Sequence, residues 1–240
     1  MDNNYVAAII VAAGQGKRMK TDINKQYLLL EGKPILAHTI NVFENCNLID
    51  EIIVVVGEHE KAKCQYNIIK QYDFKKVKKL ITGGQTRQQS MYNGLKEVST
   101  NTDIVITHDG ARPLIHENII QKSIKETLIH KATVVGVPVK DTIKMVDSKG
   151  FVNNTPPRDL LWTVQTPQSF SYQLLKNAHK AAYEEGFIGT DDAMLVERIG
   201  HPIKLIKGKY DNIKITTPED LIIAESIINI RGRKSQYTKE

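Results

Sequence analysis

A glycine-containing loop with basic side chains follows the first apolar stretch of the sequence. Val6–Val11 is typical of a buried strand, and the loop after it contains Gly14 and Gly16, with Arg18 and Lys25 further on. Two glycines allow the backbone to turn tightly and to expose its N–H groups. Backbone donors together with two fixed cations suit a triphosphate. The alternative is an ordinary turn, because short glycine motifs also match by chance.

The spacing of these glycines excludes two well-known phosphate-binding loops. A Walker loop requires Gly-Lys followed by Ser or Thr, whereas Gly16 is followed by Lys17 and Arg18. The dinucleotide-binding fingerprint requires Gly or Ala three residues after its second glycine, where this sequence has Met19. The loop is therefore basic and suited to phosphate, but it belongs to neither class.

A second glycine-containing segment, residues 83–90, lies between a predicted strand and a predicted helix. One interpretation is a plain turn in which Thr86 is the N-cap of the helix. The other is a contact with a base or a phosphate at the N-terminus of that helix. The local sequence leaves both interpretations open.

Asp109 follows residues 103–108, whose apolar, β-branched centre is typical of a strand. A carboxylate at the carboxyl end of a strand, facing a phosphate loop, is a natural ligand for Mg²⁺, which takes one or two carboxylates together with substrate phosphates. Asp109 could instead cap a helix or form a turn. We interpret the neighbouring His108 as structural, because one histidine beside one aspartate does not make a metal site.

The composition is ordinary for a soluble globular protein. The chain has 240 residues, 41% hydrophobic and 25% charged, which suits one large α/β domain or one domain with a small appendage. Its two cysteines, Cys46 and Cys64, are too few for a disulfide scaffold or a cysteine metal site, so we expect a reducing, cytoplasmic location. The sequence has no signal-peptide pattern, and no apolar run approaches the roughly 18 residues of a membrane span.

The net charge of +6 would suit an anionic ligand. It would also suit nucleic acid, but the lysines are spread along the chain and few aromatic side chains are available to stack on bases. We therefore attribute the charge to a lysine-rich surface and expect no nucleic-acid partner and no membrane partner.

Apolar, β-branched runs alternate with helical patterns along the first part of the chain. Strands are predicted at residues 6–11, 51–56, 77–81, 103–108 and 133–139, and helices at 34–44, 58–72, 87–97 and 116–130, with Pro34 at the first helical position. This order predicts an α/β fold with a Rossmann-like, mostly parallel sheet flanked by helices. Ligands of such folds bind at the carboxyl ends of strands, where both glycine-containing segments and Asp109 fall.

The alternation ends after residue 139. Short extended pieces at 143–146 and 151–155 are predicted to pair as a hairpin. A two-stranded ribbon is only marginally stable alone in water, so we expect this β-arm, residues 139–163, to pack on something else, such as a second subunit. Helices follow at 172–185 and 191–199, a strand at 203–206, and a last helix capped by Thr217 with Pro218 at its first position. One domain is predicted over residues 1–230, before a polar, frayed tail at 231–240.

Several short motifs resemble those of the 2-C-methyl-D-erythritol 4-phosphate cytidylyltransferases of the non-mevalonate isoprenoid pathway. Any one could arise by chance, but their order and their coverage, from about Val6 to Ile228, identify the chain as a member of that family. The motifs are residues 12–19 with 25–27, 83–84 with Arg87 and Ser90, 108–113, 138–142, 157–158, 165–168, 190–193 and 211–214.

The resemblance implies a nucleotidyltransferase that moves CMP from CTP. The 4-phosphate of methylerythritol phosphate would attack the α-phosphorus of CTP and release pyrophosphate. Arg18 and Lys25 would stabilise the charge that builds on the α-phosphate, as preorganised cations do. Arg158 and Lys214 would position the sugar phosphate. Asp109 would hold the Mg²⁺ that bridges the phosphates of CTP.

The resemblance also implies the residues that bind substrates. The backbone of the first loop, with Gly84 and Ser90, would read cytosine and ribose, while Thr142 and Thr166 would line the acceptor pocket. The complete set is Ala12, Ala13, Gly14, Gly16, Gly84, Arg87, Ser90, Asp109, Arg112, Thr142 and Thr166, with Arg87 and Arg112 as supporting contacts.

In the family the β-arm exchanges between the subunits of a homodimer, so Arg158 and Thr142 would serve the neighbouring active site. Two positions depart from the family's pattern. Asn24 stands where the family usually has proline, which predicts a more mobile loop. Gly110 stands where the family often has alanine, which predicts a looser contact with the ribose.

Two other functions remain as alternatives. Ribitol-5-phosphate cytidylyltransferases share this fold and mechanism, but they favour a second glycine in place of Ala13, and residues 157–158 and 161–162 fit the methylerythritol enzymes better. A regulatory protein that binds nucleotide without catalysis would be expected to lack a key cation or the metal carboxylate. All of these residues are present in this sequence.

Overall fold

The computed structural model describes residues 4–14, 19 and 24–237. The strands are β1 (Val6–Val11), β2 (Leu29–Leu30), β3 (Lys33–Pro34), β4 (Glu51–Val56), β5 (Val77–Thr82), β6 (Ile104–Asp109), β7 (Ala132–Pro138), β8 (Met145–Val146), β9 (Val152–Asn154), β10 (Trp162–Ser171) and β11 (Lys204–Lys207). The helices are α1 (Ile35–Asn45), α2 (Lys61–Cys64), α3 (Arg87–Leu95), α4 (Glu117–His130), α5 (Tyr172–Glu184), α6 (Asp192–Arg198) and α7 (Pro218–Tyr237). Short 3₁₀ turns lie at Lys25–Tyr27, Glu58–Glu60 and Arg158–Leu160, and α2 continues into a π-helical segment, Gln65–Lys70.

The main sheet has the strand order β11-β7-β10-β6-β1-β4-β5. Its pairs are parallel except where β10 runs antiparallel to both β6 and β7. The predicted α/β fold with a mostly parallel sheet is therefore confirmed. β4 lies on one side of β1 and β6 on the other, so the chain reverses its direction of travel across the sheet at β1. Crevices at such a switch point, beyond the carboxyl ends of the strands, are the usual ligand sites of this architecture.

The core lies on both faces of the sheet. Because side chains alternate along a strand, Ala8 and Ile10 of β1 pack on one face, with α1 and α4, while Ala7 and Ile9 pack on the other, with α3 and α5. The strands buried on both faces are the near-continuous apolar runs visible in the sequence. In the described part of the chain, none of the helices combines the length and the apolar character that a membrane crossing requires.

The predicted helix at 58–72 is instead a 3₁₀ turn, the short α2 and a π-helical segment, and the boundaries of α1 and of the last helix also depart from the predictions. Pro34 is the N-cap of α1 and not its first residue, because its pairing with Leu29 in the β2–β3 hairpin keeps it extended. The last helix continues through Tyr237, so the predicted fraying does not begin at Arg231. Arg231 instead donates to the carbonyl of Leu114 and pairs with Asp211 at 2.7 Å, which ties this helical turn to the body of the protein.

The sequence predictions omit β10, although it lies inside the sheet. Pro167 interrupts the strand, and the register of its pairing with β7 shifts between Val164 and Gln168. Its buried residues include Gln165 and Thr166, so the segment lacks the apolar run that marks the other strands. Irregular strands of this kind, with polar side chains buried at the break, are often found next to functional sites.

The predicted hairpin in the β-arm is confirmed. β8 and β9 pair antiparallel, and the arm projects apolar side chains that the chain itself leaves exposed. Their exposed fractions range from 39% for Ile143 to 77% for Leu160. The exposed apolar residues of the arm are Ile143, Met145, Val146, Phe151, Val152 and Leu160.

Candidate active site

A cavity of about 490 Å³ opens at the carboxyl ends of β1 and β6. Most of the predicted site residues that the structure describes converge on it, although they come from distant parts of the sequence. The lining residues are Val11, Ala12, Ala13, Gly14, Lys25, Gln26, Gly84, Gln85, Thr86, Arg87, Ser90, Asp109, Ala111 and Lys214. Gly16 and Arg18, which complete the predicted set at the first loop, lie outside the described residues.

The first loop leaves β1 and is held by the side chain of Gln26. The amide nitrogen of Gln26 donates to the carbonyl of Ala12 at 2.5 Å and to that of Gly14 at 3.3 Å. Among the described residues, a Cβ at Gly14 would meet no atom within 4 Å, so a lack of space does not require glycine at this position. Gln26 is buried; the sequence analysis included it only in the motif at residues 25–27 and gave it no role of its own.

The second glycine-containing segment packs directly against the first. A Cβ at Gly83 would lie 2.5 Å from the Cβ of Ala13, so only glycine permits this approach of the two loops. The hydroxyl of Ser90 accepts from the N–H of Gly84 at 3.0 Å and donates to the carbonyl of Thr86 at 2.9 Å. Thr86 caps α3 by accepting from the N–H of Gln89. Thr86 therefore does what the plain-turn interpretation predicts, and it lines the cavity as well.

Asp109 is surrounded by three cationic side chains at the cavity. Its carboxylate lies 2.8 Å from the Nζ of Lys214, 3.5 Å from the Nε of Arg112 and 3.6 Å from the Nε of Arg87. Burial alone would raise the pKa of Asp109, but the charges of Lys214 and Arg87 hold that pKa well below its usual range. The backbone N–H of Asp109 donates to the hydroxyl of Thr166. The carboxylate is therefore ionised, and its side chain neither caps a helix nor closes a turn.

Arg87 carries a second carboxylate partner that sequence reasoning missed. Its guanidinium lies 3.0 Å from Asp192, which is buried at the start of α6 and also faces His179 at 3.3 Å. Burial would raise the pKa of Asp192, but the charge of Arg87 lowers it. In the sequence, residues 190–193 stood out only as a family motif. Asp191 is an ordinary N-cap of α6, so the neighbouring Asp192 gave no separate signal. Arg87 thus contacts Asp109 and Asp192 at once, and these two contacts fix the position of its guanidinium group.

Lys25 and Lys214 both line the cavity, although they lie far apart in the sequence. The Nζ of Lys25 donates to the carbonyl of Ile215 at 3.1 Å, which brings the first loop beside the segment that carries Lys214. That segment is held by Asn212, whose side chain donates to Gln165 and to the carbonyl of Thr166 at the break in β10. The irregular strand therefore places Lys214 next to Asp109.

Arg112 supports this arrangement from just outside the lining. It contacts Asp109 and donates to the carbonyl of Asn212 at 2.9 Å. Thr142 and Arg158, by contrast, are exposed on the β-arm and do not line the cavity of their own chain. The guanidinium of Arg158 donates only to the carbonyl of Lys140 among its described contacts.

His108 is structural in its described contacts, as its sequence context predicts. It is fully buried against the ring of Phe43, and the Nε2–H of its neutral ring donates a hydrogen bond to the carbonyl of Arg112 at 3.1 Å. Burial lowers the pKa of His108 from 6.5 to about 4. Among the described residues no group of three or more His, Cys, Asp and Glu side chains could hold a metal ion.

The buried neutral state of His108 makes stability depend on pH. The unfolded chain takes up a proton at this residue below about pH 6.5, whereas the folded chain does so only near pH 4. The free energy of unfolding should therefore fall by about 3 kcal/mol as the pH falls across that window. Urea unfolding between pH 7 and pH 4 measures this slope, and His108→Gln should flatten it. His59→Gln removes an exposed imidazole as a control, and an equal flattening there would contradict the assignment.

The chain is similar to known proteins over nearly its whole length. The family model for 2-C-methyl-D-erythritol 4-phosphate cytidylyltransferase matches residues 6–230. A relative of that name from Clostridioides difficile is 54% identical over 228 residues, which cover 95% of each chain. Another from Caldanaerobacter subterraneus is 50% identical and covers 92% of this chain and 97% of its own.

Solved structures agree with the sequence comparison. A 4-diphosphocytidyl-2C-methyl-D-erythritol synthase from Anaerococcus prevotii superimposes with a TM-score of 0.85 at 33% identity, covering 95% of this chain and 97% of its own. A 2-C-methyl-D-erythritol 4-phosphate cytidylyltransferase from Thermus thermophilus gives a TM-score of 0.76 at 29% identity, covering 93% and 98%.

Proposed function

Because this chain belongs to the 2-C-methyl-D-erythritol 4-phosphate cytidylyltransferase family, we propose that it transfers CMP from CTP to 2-C-methyl-D-erythritol 4-phosphate in isoprenoid precursor biosynthesis. A phosphate oxygen of the acceptor forms a bond to the α-phosphorus of CTP, and the bond from that phosphorus to the bridging oxygen breaks. Pyrophosphate leaves, and 4-diphosphocytidyl-2-C-methyl-D-erythritol is the product. The observation that carries the proposal is the cavity in which Lys25, Lys214 and Asp109 meet beside a glycine loop.

The cations have separate tasks in this reaction. Lys25, with Arg18, stabilises the negative charge that grows on the α-phosphate, because fixed cations in a partly enclosed site act most strongly where charge develops. Lys214 meets the phosphate of the acceptor. Support for this role comes from its place against Asp109, where one ammonium can contact a carboxylate and a phosphate at once.

Mg²⁺ is proposed as the divalent cation, with Asp109 as its protein ligand. The residues fit it, because an ionised carboxylate has four lone-pair positions and, among the described residues, Oδ1 has an ion pair with Arg87 alone, at 3.6 Å. When bound, Mg²⁺ neutralises phosphate charge and orients the triphosphate. Arg87, Arg112 and Lys214 surround the same carboxylate, so the site repels a free cation and favours one that arrives with the nucleotide.

The protein is proposed to act as a homodimer in the cytoplasm. The β-arm exposes a row of apolar side chains, and a two-stranded ribbon with such a face needs a partner surface. In a two-fold dimer the arm of one subunit would deliver Arg158 and Thr142 to the cavity of the other. This accounts for two site residues that lie outside the cavity of their own chain.

Phe151→Asp should convert the dimer into monomers, because a charge at this apolar position must be desolvated on association. Phe151 is 69% exposed in the single chain. Light scattering measures the mass directly. Tyr183→Asp is the matched control, since Tyr183 is an equally exposed aromatic on α5 (80%), and it should leave the mass unchanged. A monomeric unchanged protein, or a dimeric Phe151→Asp variant, would contradict the role of the arm.

The reaction is tested by pyrophosphate release from CTP with 2-C-methyl-D-erythritol 4-phosphate or ribitol 5-phosphate as acceptor. Release with the first acceptor alone supports the proposal, and EDTA should stop it until Mg²⁺ is restored. Release with ribitol 5-phosphate alone would make the protein a polyol-phosphate cytidylyltransferase. No release with either acceptor would favour a regulatory protein that binds nucleotide without catalysis.

A further inference from the structure

A buried carboxylate, Glu60, lies behind the first loop and outside the cavity lining. It ends the 3₁₀ turn after β4 and is only 9% exposed. No ion pair to Glu60 is found among the described residues, and hydrogen bonds hold it instead. Oε2 accepts from the N–H of Gly57 at 2.8 Å and from the amide of Gln26 at 3.4 Å, while Oε1 accepts from the amide of Asn24 at 2.5 Å. A carboxylate buried without a cation is costly, and these donors offset that cost.

The hydrogen bond to Gln26 fixes how this amide faces the loop. Its nitrogen has three oxygen acceptors around it, which are the carboxylate of Glu60 and the carbonyls of Ala12 and Gly14. The reversed amide would place its oxygen against those three acceptors, so the carboxylate selects the orientation that holds the loop. Glu60 thereby acts on the cavity wall without contacting the cavity.

Lys25 is flanked by Gln26 and Asn24, and the hydrogen bond that Asn24 donates to Glu60 holds this second neighbour in place. Asn24 has φ −57° and ψ 131°, and its carbonyl accepts from the N–H of Tyr27 to close the 3₁₀ turn. Both residues that flank Lys25 are therefore tied to one carboxylate. The φ of Asn24 also lies in the narrow range that a proline ring imposes. A proline ring would impose the same φ, whereas in this chain the side-chain hydrogen bond to Glu60 holds Asn24.

We propose that Glu60 is a positioning residue for CMP transfer. Its carboxylate holds the backbone on both sides of Lys25, and the turn formed by Ala12 and Gly14, in the geometry that receives the triphosphate. The inference rests on the proposed function, since the triphosphate enters through it. It assigns no contact between Glu60 and the substrate.

Glu60→Gln tests this role with almost no change in volume. The amide has one acceptor oxygen in place of two and adds a donor that faces Gln26, Asn24 and Gly57. We expect kcat/KM for CTP to fall on the order of 10-fold or more, as small misplacements of a catalytic group do. The KM for the acceptor should stay unchanged. Glu58→Gln is the matched control, because Glu58 is an exposed carboxylate on the same turn and its loss should leave both values unchanged.

Two substitutions at Asn24 keep the proposal testable if Glu60→Gln folds poorly. Asn24→Ala removes one donor and should weaken the use of CTP, whereas Asn24→Pro fixes the same φ by its ring and should keep the activity of the unchanged protein. Because both residues act through one contact, Glu60→Gln combined with Asn24→Ala should be no worse than Glu60→Gln alone. Equal loss in the proline and alanine variants would contradict the role given to this bond.

Calorimetric titration with CTP separates this proposal from the proposed function. If the unchanged protein releases no pyrophosphate, the function fails, while weaker CTP binding by Glu60→Gln than by Glu58→Gln still supports the positioning role. If the unchanged protein is active and Glu60→Gln equals Glu58→Gln in both kinetics and CTP affinity, the positioning role is overturned.

Discussion

Replacing Lys25 with alanine is expected to lower kcat on the order of 10²-fold or more, which corresponds to about 2.7 kcal/mol of lost transition-state stabilisation. The ammonium group of Lys25 reaches the cavity beside the segment that carries Lys214 and Asp109. Its charge is most effective when negative charge accumulates on the α-phosphate, so kcat should fall more than the affinity for CTP. The same loss is expected for Arg18→Ala, because both cations are assigned to this charge. Steady-state pyrophosphate release with saturating CTP measures the effect.

Lys25 also donates to the carbonyl of Ile215, so alanine could disturb the packing of the two segments. Lys25→Met keeps most of the stem and removes only the charge, and it should show the same loss with a melting temperature near that of the unchanged protein. Lys125→Ala is the charge-matched control, since Lys125 is exposed on α4 and does not line the cavity. A kcat near normal in both Lys25 variants would contradict the assigned role.

The sequence alone predicts those strands and helices whose own residues show a clear pattern. The continuous apolar runs of β1, β4 and β6 predict strands to within a residue or two, because strands buried on both faces require such runs. β10 could not be predicted in this way, since most of its buried side chains are polar and find their partners across the fold; they are Gln165, Thr166, Gln168 and Ser169. The contacts of Gln165 and Thr166 with Asn212 also hold the segment that carries Lys214.

The residues of the candidate site also differ in whether the sequence alone predicts them. Asp109 and the glycines could be predicted, because a strand end and a tight turn are local features. Asp192 and Glu60 could not, since each acts through a partner far away in the chain: Asp192 holds Arg87, 105 positions earlier, and Glu60 holds Gln26, 34 positions earlier. Such pairs can be recognised only in the folded structure, where the sheet brings the loops to one edge. The residues that touch substrate are therefore easier to predict from sequence than the residues that position them.

Thr142 and Arg158 were assigned to the site by resemblance, and their place on the arm makes the proposed dimer part of the proposed mechanism. If the arm serves its own cavity it must fold back, and among the described contacts Arg158 reaches only Lys140. If it serves the neighbouring cavity, no rearrangement within the chain is needed. Arg158→Ala should then weaken use of the acceptor on the order of 10²-fold while CTP affinity is retained, because a lost charge pair to phosphate costs several kcal/mol.

Mixed dimers distinguish the two arrangements. When equal amounts of Arg158→Ala and Lys25→Ala subunits exchange, half of the dimers contain one of each, and one cavity in such a dimer has an intact Lys25 and receives an intact Arg158. Activity should recover to about a quarter of that of the unchanged protein, as a two-fold dimer with shared sites requires. The control is a mixture of Lys25→Ala and Lys214→Ala, whose lysines line the same cavity of one chain, so no dimer contains an intact site and no recovery is expected. If the first mixture also fails to recover after exchange is verified by differential tagging, Arg158 acts within its own subunit and the proposal that the arm completes the neighbouring site is wrong.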